Sequence, residues 1–496
     1  MQRQQFLILL IIGGYFLVWM ALSYLSSRKA DNQTFFTGNR KMPWPLVAVA
    51  MLGAPITGVT LLSVPGMVSA KGYSYLQMCL GFIVGYLIIS LVLIPLYYRL
   101  KIISIYEYLQ KRFNDRAYKT GAWLFFVSKI VGISIRFLMV CLTLQFLLFD
   151  PIGVPYIFSV LVGIALVWLS TYRGGVKSVI WSDVLKSMCL IVCIGLCIFY
   201  ITDSLGFSAS DTFQNISSHG SSRIFFFDNP ADSKFFWKEF VAGIVIVVAM
   251  TGLDQDMMQR TLSCRNARAS FKNMMLGSLL QVLVISSLLV LGSLMISFME
   301  LKGEALPEKS DNLFATVAFH DGMPIVVGLL FILGIISATF SSVASALTSM
   351  TTTMTRDILG TPEDAPSPLV KRRRNNVHIG ISAVMAILVL FFYYLNSDDA
   401  ISTVYTLISY TDGPILGLFL FGILTKRRVS ERWLPAACLC APPLAWGVQQ
   451  LAAGFGYSIG YELLIINASF TFGGLYLMSK PEKRYSEREV VSEATL

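Results

Sequence analysis

Charge is scarce in this chain of 496 residues: Asp, Glu, Lys and Arg make up 14% of it, against 55% hydrophobic residues. A water-soluble protein of that length exposes more surface than so few charges can cover, so soluble domains are excluded and lipid is the expected solvent. Histidine is scarcer still. His219, His320 and His378 are the whole complement, placed in loops or near the ends of apolar runs, and no HExxH occurs. The dipeptide Gly-Lys is absent, which excludes a P-loop and with it a built-in ATPase. None of the eight cysteines sits in a polar outer loop and no CxxC is present, so neither a disulfide framework nor a cysteine metal site is expected. Cys189, Cys193 and Cys197 recur every four residues, one face of a helix, and are read as packing residues. Without a catalytic cluster, an enzyme is not expected.

What the sequence does have is long apolar runs. Thirteen can be marked, at roughly 5–25, 44–69, 74–98, 119–149, 154–171, 178–201, 237–258, 271–299, 323–355, 376–396, 400–424, 433–453 and 459–479. The first is too long for a signal peptide, has only Arg3 before it and lacks an A-x-A site, so it is read as a retained helix. The net charge of +10 would suit an acidic partner such as nucleic acid if it were concentrated, but it is dispersed. With the N-terminus outside and thirteen spans, 29 of the 39 Lys and Arg fall in cytoplasmic loops, 7 fall outside, and Lys129, Arg136 and Lys186 fall within helices. Every cytoplasmic loop is then basic, and adding or removing one helix would scramble the alternation. The cytoplasmic set includes Arg28 and Lys29, Arg173, Arg260, the run Lys371–Arg374, and Lys483, Arg484 and Arg488. The short tail is expected to carry no signalling domain.

Several of these runs carry residues that lipid disfavours. In the second, Gly53-Ala54-Pro55-Ile56-Thr57-Gly58-Val59-Thr60 should break the helix, and a broken helix is tolerated at mid-membrane only where it lines a cavity. Its freed carbonyls either coordinate a cation or mark a simple proline kink. The ninth run, Ser337–Ser349, is dense in hydroxyls, which suit a hard cation or close helix packing. The sixth carries Asp183 with Lys186 one turn on, a functional carboxylate or a neutral salt bridge. Lys129 and Arg136 share a face of the fourth: Lys129 snorkels or pairs with acid, and Arg136 clamps a solute's carboxylate or phosphate or pairs with another helix. Asp254 and Asp256, at the cytoplasmic end of the seventh, are expected to pair with loop arginines, and Thr411-Asp412-Gly413-Pro414 reads as a second interrupted helix.

Taken in order, Phe36-Thr37-Gly38-Asn39-Arg40, Pro65-Gly66, Thr171-Tyr172-Arg173-Gly174-Gly175 with Asp183, Gly252-Leu253-Asp254-Gln255 through Gln259-Arg260, the serine run and Gly413–Phe419 resemble the sodium/solute symporter family. The resemblance implies an all-α membrane protein with a LeuT-type inverted repeat of two five-helix units. Those units would be 44–201 and 237–425, with a first helix and loop at 1–43, an outer loop at 202–236, and two last helices and the tail at 426–496. It implies Na+ as the coupling ion, at a main site of Gly53, Ile56 and Ala338 backbone oxygens and Ser341 and Ser342 hydroxyls. A second sodium would use Asp183, Ser341 and Ser345, although Lys186 stands where glutamine is usual and could neutralise Asp183. Solute contacts carried over are Pro55, Thr57, Thr60, Gln77 and Arg136. Met250 stands where sugar-transporting relatives have a gating tyrosine, so sugar specificity of that kind is not expected.

The reading is a symporter importing a small organic solute by alternating access, an anionic sugar or carboxylate being the favoured class. It would lie in the cell inner membrane and work as a monomer with the bilayer and its solute as partners, without nucleic acid or an ATPase. The rivals are a proton-coupled symporter using Asp183 and a non-transporting solute sensor.

Overall fold

The structure, a computed structural model, describes residues 3–481 except 28–31, 54, 146–148, 151–152, 173–174, 219–221, 231, 233, 363–366, 396–399, 456, 458 and 461. Ala54, Arg173, Gly174, His219 and the basic residues Arg28, Lys29, Lys483, Arg484 and Arg488 thus lie outside the described residues. Each apolar run carries helix. In chain order these are α1 (Arg3–Ser27), α2 (Trp44–Gly53), α3 (Gly58–Gly66), α4 (Tyr75–Ile88), α5 (Asp115–Leu144), α6 (Tyr156–Thr171) and α7 (Gly175–Leu205). There follow α8 (Phe236–Val247), α9 (Gln255–Thr261), α10 (Ala267–Lys302), α11 (Ile325–Thr353), α12 (Ser367–Leu395), α13 (Ala400–Leu424), α14 (Leu434–Gly454) and α15 (Glu462–Leu477). Two three-residue strands, β1 (Arg427–Val429) and β2 (Ser479–Pro481), pair antiparallel at one end.

Among the described residues, six helices are long and apolar enough to cross a membrane, or eight if each of two bent pairs is one span. Four shorter apolar stretches, Leu10–Ser26, Tyr156–Thr171, Ser409–Leu424 and Glu462–Leu477, add to them. The centre of the assembly is α11, whose Ser337–Ser341 and Val343–Thr353 are buried. It packs against α7, α5, α12, α6, α1, α3 and α9. A helix so enclosed can carry many hydroxyls because most find an acceptor, often the carbonyl one turn back, as Thr348 does with Ala344 at 3.0 Å.

The bent pairs are the architectural key. Between α2 and α3, that is between Gly53 and Gly58, the axis turns by 60°, within the stretch that the sequence marks. Proline supplies no N–H to continue the ladder. The new helix is capped instead by Thr57 and Thr60: the Thr57 amide donates to Thr60 Oγ1 at 3.2 Å, and that hydroxyl donates to the Pro55 carbonyl at 3.4 Å. The second break is not where the sequence placed it. It lies between α8 and α9, a 73° turn following a π turn at Val248–Gly252. Asp254 caps α9, accepting from the amides of Asp256 and Met257. The carbonyls freed here are met by tyrosines from the chain after α4: Tyr97 donates to Gly252 and Tyr106 to Leu253, each at 3.1 Å.

Around Pro414, by contrast, α13 runs unbroken. Proline there orphans the carbonyl one turn back, that of Tyr410. Asn467 of α15 donates to it at 2.8 Å and to the Ser409 carbonyl at 3.1 Å. A side chain from a neighbouring helix thereby replaces the missing backbone donor, and the expected interruption does not form.

Candidate functional site

The two breaks face each other across a cavity of about 270 Å³. Pro55, Ile56, Thr57 and Thr60 line it from the first break, Met250, Thr251 and Asp254 from the second, and Lys129 and Arg136 from α5. Of the solute contacts anticipated from sequence, Pro55, Thr57, Thr60 and Arg136 are brought together, while Gln77 is not. Gln77 is wholly buried and holds the outer loop: its Nε2 donates to the Lys234 carbonyl at 2.9 Å and its Oε1 accepts from the Phe226 amide at 3.0 Å. Tyr75, Phe82, Tyr86 and Ile285 supply an apolar wall, so the cavity combines an apolar body with a few convergent polar groups.

A smaller cavity of about 60 Å³ adjoins it through shared residues and reaches α11 at Ser342 and Ser345. Beside it runs a chain of buried ion pairs. Asp183 of α7 meets Arg260 at 2.7 Å. Arg260 meets Asp256 at 3.1 Å, Asp256 meets Lys129 at 3.1 Å, and Lys129 meets Asp254 at 2.7 Å. Buried charges persist only when so paired and hydrogen-bonded. Arg260 therefore is no loop charge: it is 2% exposed and holds α7 to α9, which corrects its assignment to a cytoplasmic loop. The partners of Asp254 and Asp256 are Lys129 and Arg260 rather than loop arginines. The ionisable residues of the network, Asp183, Lys129, Asp254 and Asp256, were visible in the apolar runs, but their pairing was not, because the partners come from three helices.

The oxygens anticipated for sodium fall in one region, with a distinct arrangement. Ser341 donates to Asp183 Oδ1 at 2.5 Å, whereas Ser345 donates to Asp256. The expected second set of Asp183, Ser341 and Ser345 is thus divided between two carboxylates, both bound to Arg260. No Asp183–Lys186 ion pair forms among the described residues; Lys186 instead donates to Ser342 Oγ at 2.9 Å. At the main set, Ser342 donates to the Ala338 carbonyl at 2.8 Å, and Gly53 lies against α7 so closely that a Cβ there would fall 2.6 Å from Ser187 Oγ and 3.3 Å from Lys186 Cδ. Carbonyls of a broken helix and hydroxyls of α11 are a hard, oxygen-rich donor set of the kind sodium takes.

Comparison with known proteins bears on the family and the fold. The profile described as "Sodium:solute symporter family" matches residues 35–432. The human sodium/iodide cotransporter is 24% identical over 84% of this chain, which spans 65% of that protein's length. The sodium/sialic acid symporter of Aliivibrio fischeri is 24% identical over 85% of this chain and 84% of its own. A solved sodium-coupled sialic acid symporter, substrate-bound and outward-open, superposes with a TM-score of 0.81 at 19% identity, covering 96% of this chain and 99% of the other. The LeuT-like fold is common to both. On a profile match that spans most of the sequence, the chain belongs to the sodium:solute symporter family, multi-pass membrane transporters in which sodium is the coupling ion for movement of a small solute.

Proposed function

We propose that this protein imports a small anionic solute, carrying a carboxylate or an equivalent oxyanion, together with sodium. The observation that carries the reading is Arg136. It lines both cavities, and no hydrogen bond or ion pair joins it to another described residue. Its guanidinium is a planar, permanently charged fork suited to a carboxylate. The relatives named for iodide and sialic acid both take anions, which supports the same class.

In this reading the solute docks against Thr57, Thr60 and Arg136, and sodium lies at the seam between the α2–α3 break and α11, using Gly53, Ile56, Ala338, Ser341 and Ser342. The five-helix units 44–201 and 237–425 then rock about that centre, thirteen spans in all with the N-terminus outside, in a cell inner membrane and as a monomer. With one sodium and one monoanion the cycle moves no net charge, so the membrane potential adds nothing and a tenfold sodium gradient, about 1.4 kcal/mol, supports a solute gradient of about tenfold. A second sodium would add about 3.5 kcal/mol at roughly 150 mV and about 1.4 kcal/mol more from its gradient. A proton carried by Asp183 is less favoured, because Arg260 and Ser341 already hold both its oxygens.

The test is sodium-driven uptake into proteoliposomes with a panel of carboxylates and their neutral amides as competitors. Arg136→Ala is expected to abolish the preference of acid over amide. An unchanged preference would remove the anionic solute from the reading.

A further inference from the structure

The seam proposed for sodium already has a cation at it. Lys186 is wholly buried on α7, its stem passes beside Gly53 at the end of α2, and its ammonium donates to Ser342 Oγ at 2.9 Å. Ser342 in turn donates to the Ala338 carbonyl and lines the small cavity. The ammonium therefore reaches, directly or through a single hydroxyl, two oxygens of the set read as the main sodium ligands, and its stem lies against the end of α2. Asp183 does not hold it in an ion pair, being bound to Arg260.

The charges around it point the same way. Lys186 shares α7 with Asp183; α9 brings Asp256 and Arg260, and α5 brings Lys129 and Arg136. Asp254 and Asp412 complete the lining, while α11 and the α2–α3 pair bring no ionisable side chain and α1 brings Tyr15. Four carboxylates thus face four basic groups. A sodium ion added to this region is a surplus positive charge in a medium of low polarity. Moving the Lys186 ammonium away from Ser342 lowers its repulsion with that ion.

We propose that the Lys186 ammonium is a built-in competitor for sodium, a tethered cation that holds the seam between the α2–α3 break and α11 and must leave Ser342 before sodium binds there. The inference rests on the proposed main sodium site for its location. It deepens that reading by assigning the seam two mutually exclusive cations. Sodium binding pays the free energy of displacing the lysine, so apparent affinity is reduced by the fraction of protein in which the ammonium is in place.

The experiment is sodium titration of the purified full chain in lipid nanodiscs, read by thermal stabilisation and by direct radioactive sodium binding, with choline as the reference. Lys186→Gln is expected to lower half-saturating sodium by roughly tenfold or more. It should also melt lower than wild type in choline, where no cation fills the seam. Ser342→Ala in the same background should remove the gain in sodium affinity. Lys186→Arg, which keeps the charge, should not show it. Lys186→Met carries the expectation of Lys186→Gln should the amide disturb folding. Half-saturating sodium unchanged or raised in both neutral variants overturns the proposal and leaves Lys186 a structural donor to Ser342. Sodium-dependent uptake by the wild type is scored separately. Its absence would sink the symport reading, whereas a sodium affinity gained in Lys186→Gln would still stand.

Discussion

Asn467 shows how one side chain decides a helix. Its amide supplies the hydrogen bond that Pro414 denies to the Tyr410 carbonyl and adds one to that of Ser409. Asn467→Ala should leave the part-buried Tyr410 carbonyl without its donor and cost about 1–3 kcal/mol, seen as a lowered melting temperature in nanodiscs. A neutral result would mean that α13 is held by packing alone. At Asp183 a larger effect is expected. Asp183→Asn leaves the buried Arg260 short of a carboxylate, a loss of about 3–5 kcal/mol. Ser341→Ala removes only a hydroxyl donor to the same group, about 1.5–3 kcal/mol. Thermal or denaturant unfolding that ranks the two in the opposite order would contradict the ion-pair chain. Neither partner choice was legible from spacing. Asp183 and Lys186 are one turn apart, the arrangement that invites a local salt bridge, yet the guanidinium from α9 takes the acid and the lysine reaches across to α11.

At the scale of elements, the two broken helices differ in how they announce themselves. The first break contains proline and two glycines and is readable in eight residues. The second has no proline. Its turn is stabilised by an aspartate cap and by Tyr97 and Tyr106, which lie some 150 positions earlier, so nothing local identifies it. Tyr106→Phe leaves the Leu253 carbonyl without its donor and should lower both the melting temperature and sodium-driven uptake. Retention of full uptake would show that the α8–α9 break is held without it. The position of α8 depends in addition on its contact with α4. A Cβ on Gly81 would fall 2.1 Å from the Phe240 carbonyl, a clash with backbone. Gly81→Ala should force the helices apart at a cost of about 1–3 kcal/mol, again measurable by melting, and a stability equal to wild type would rule out so tight an approach.

For the whole molecule, the distribution of basic residues makes a prediction of sidedness. Glu308 and Arg428 are both exposed, in segments that the charge pattern assigns to opposite sides of the membrane. In a Cys440→Ser background, which removes the one exposed native cysteine among the described residues, Glu308→Cys should react with an impermeant maleimide in intact cells. Arg428→Cys should react only after the membrane is opened. The reverse pattern would invert the chain, and labelling of both from outside would break the count of spans.

The sequence by itself determined the solvent, the segmentation into apolar helices, the break at Pro55 and the hydroxyl-rich helix at the centre. Each is a matter of local composition and periodicity, which lipid enforces residue by residue because unpaired backbone and unpaired charge cannot be left in it. Only the tertiary structure decided who satisfies whom: that Asn467 mends α13, that Gln77 is spent on the outer loop, that Arg260 leaves the basic clusters to join Asp183, and that Lys186 stands at Ser342. Those choices depend on which donors and acceptors come within about 3 Å of one another, a distance set by helix packing across 57 to 157 residues of chain and written in no short window of the sequence.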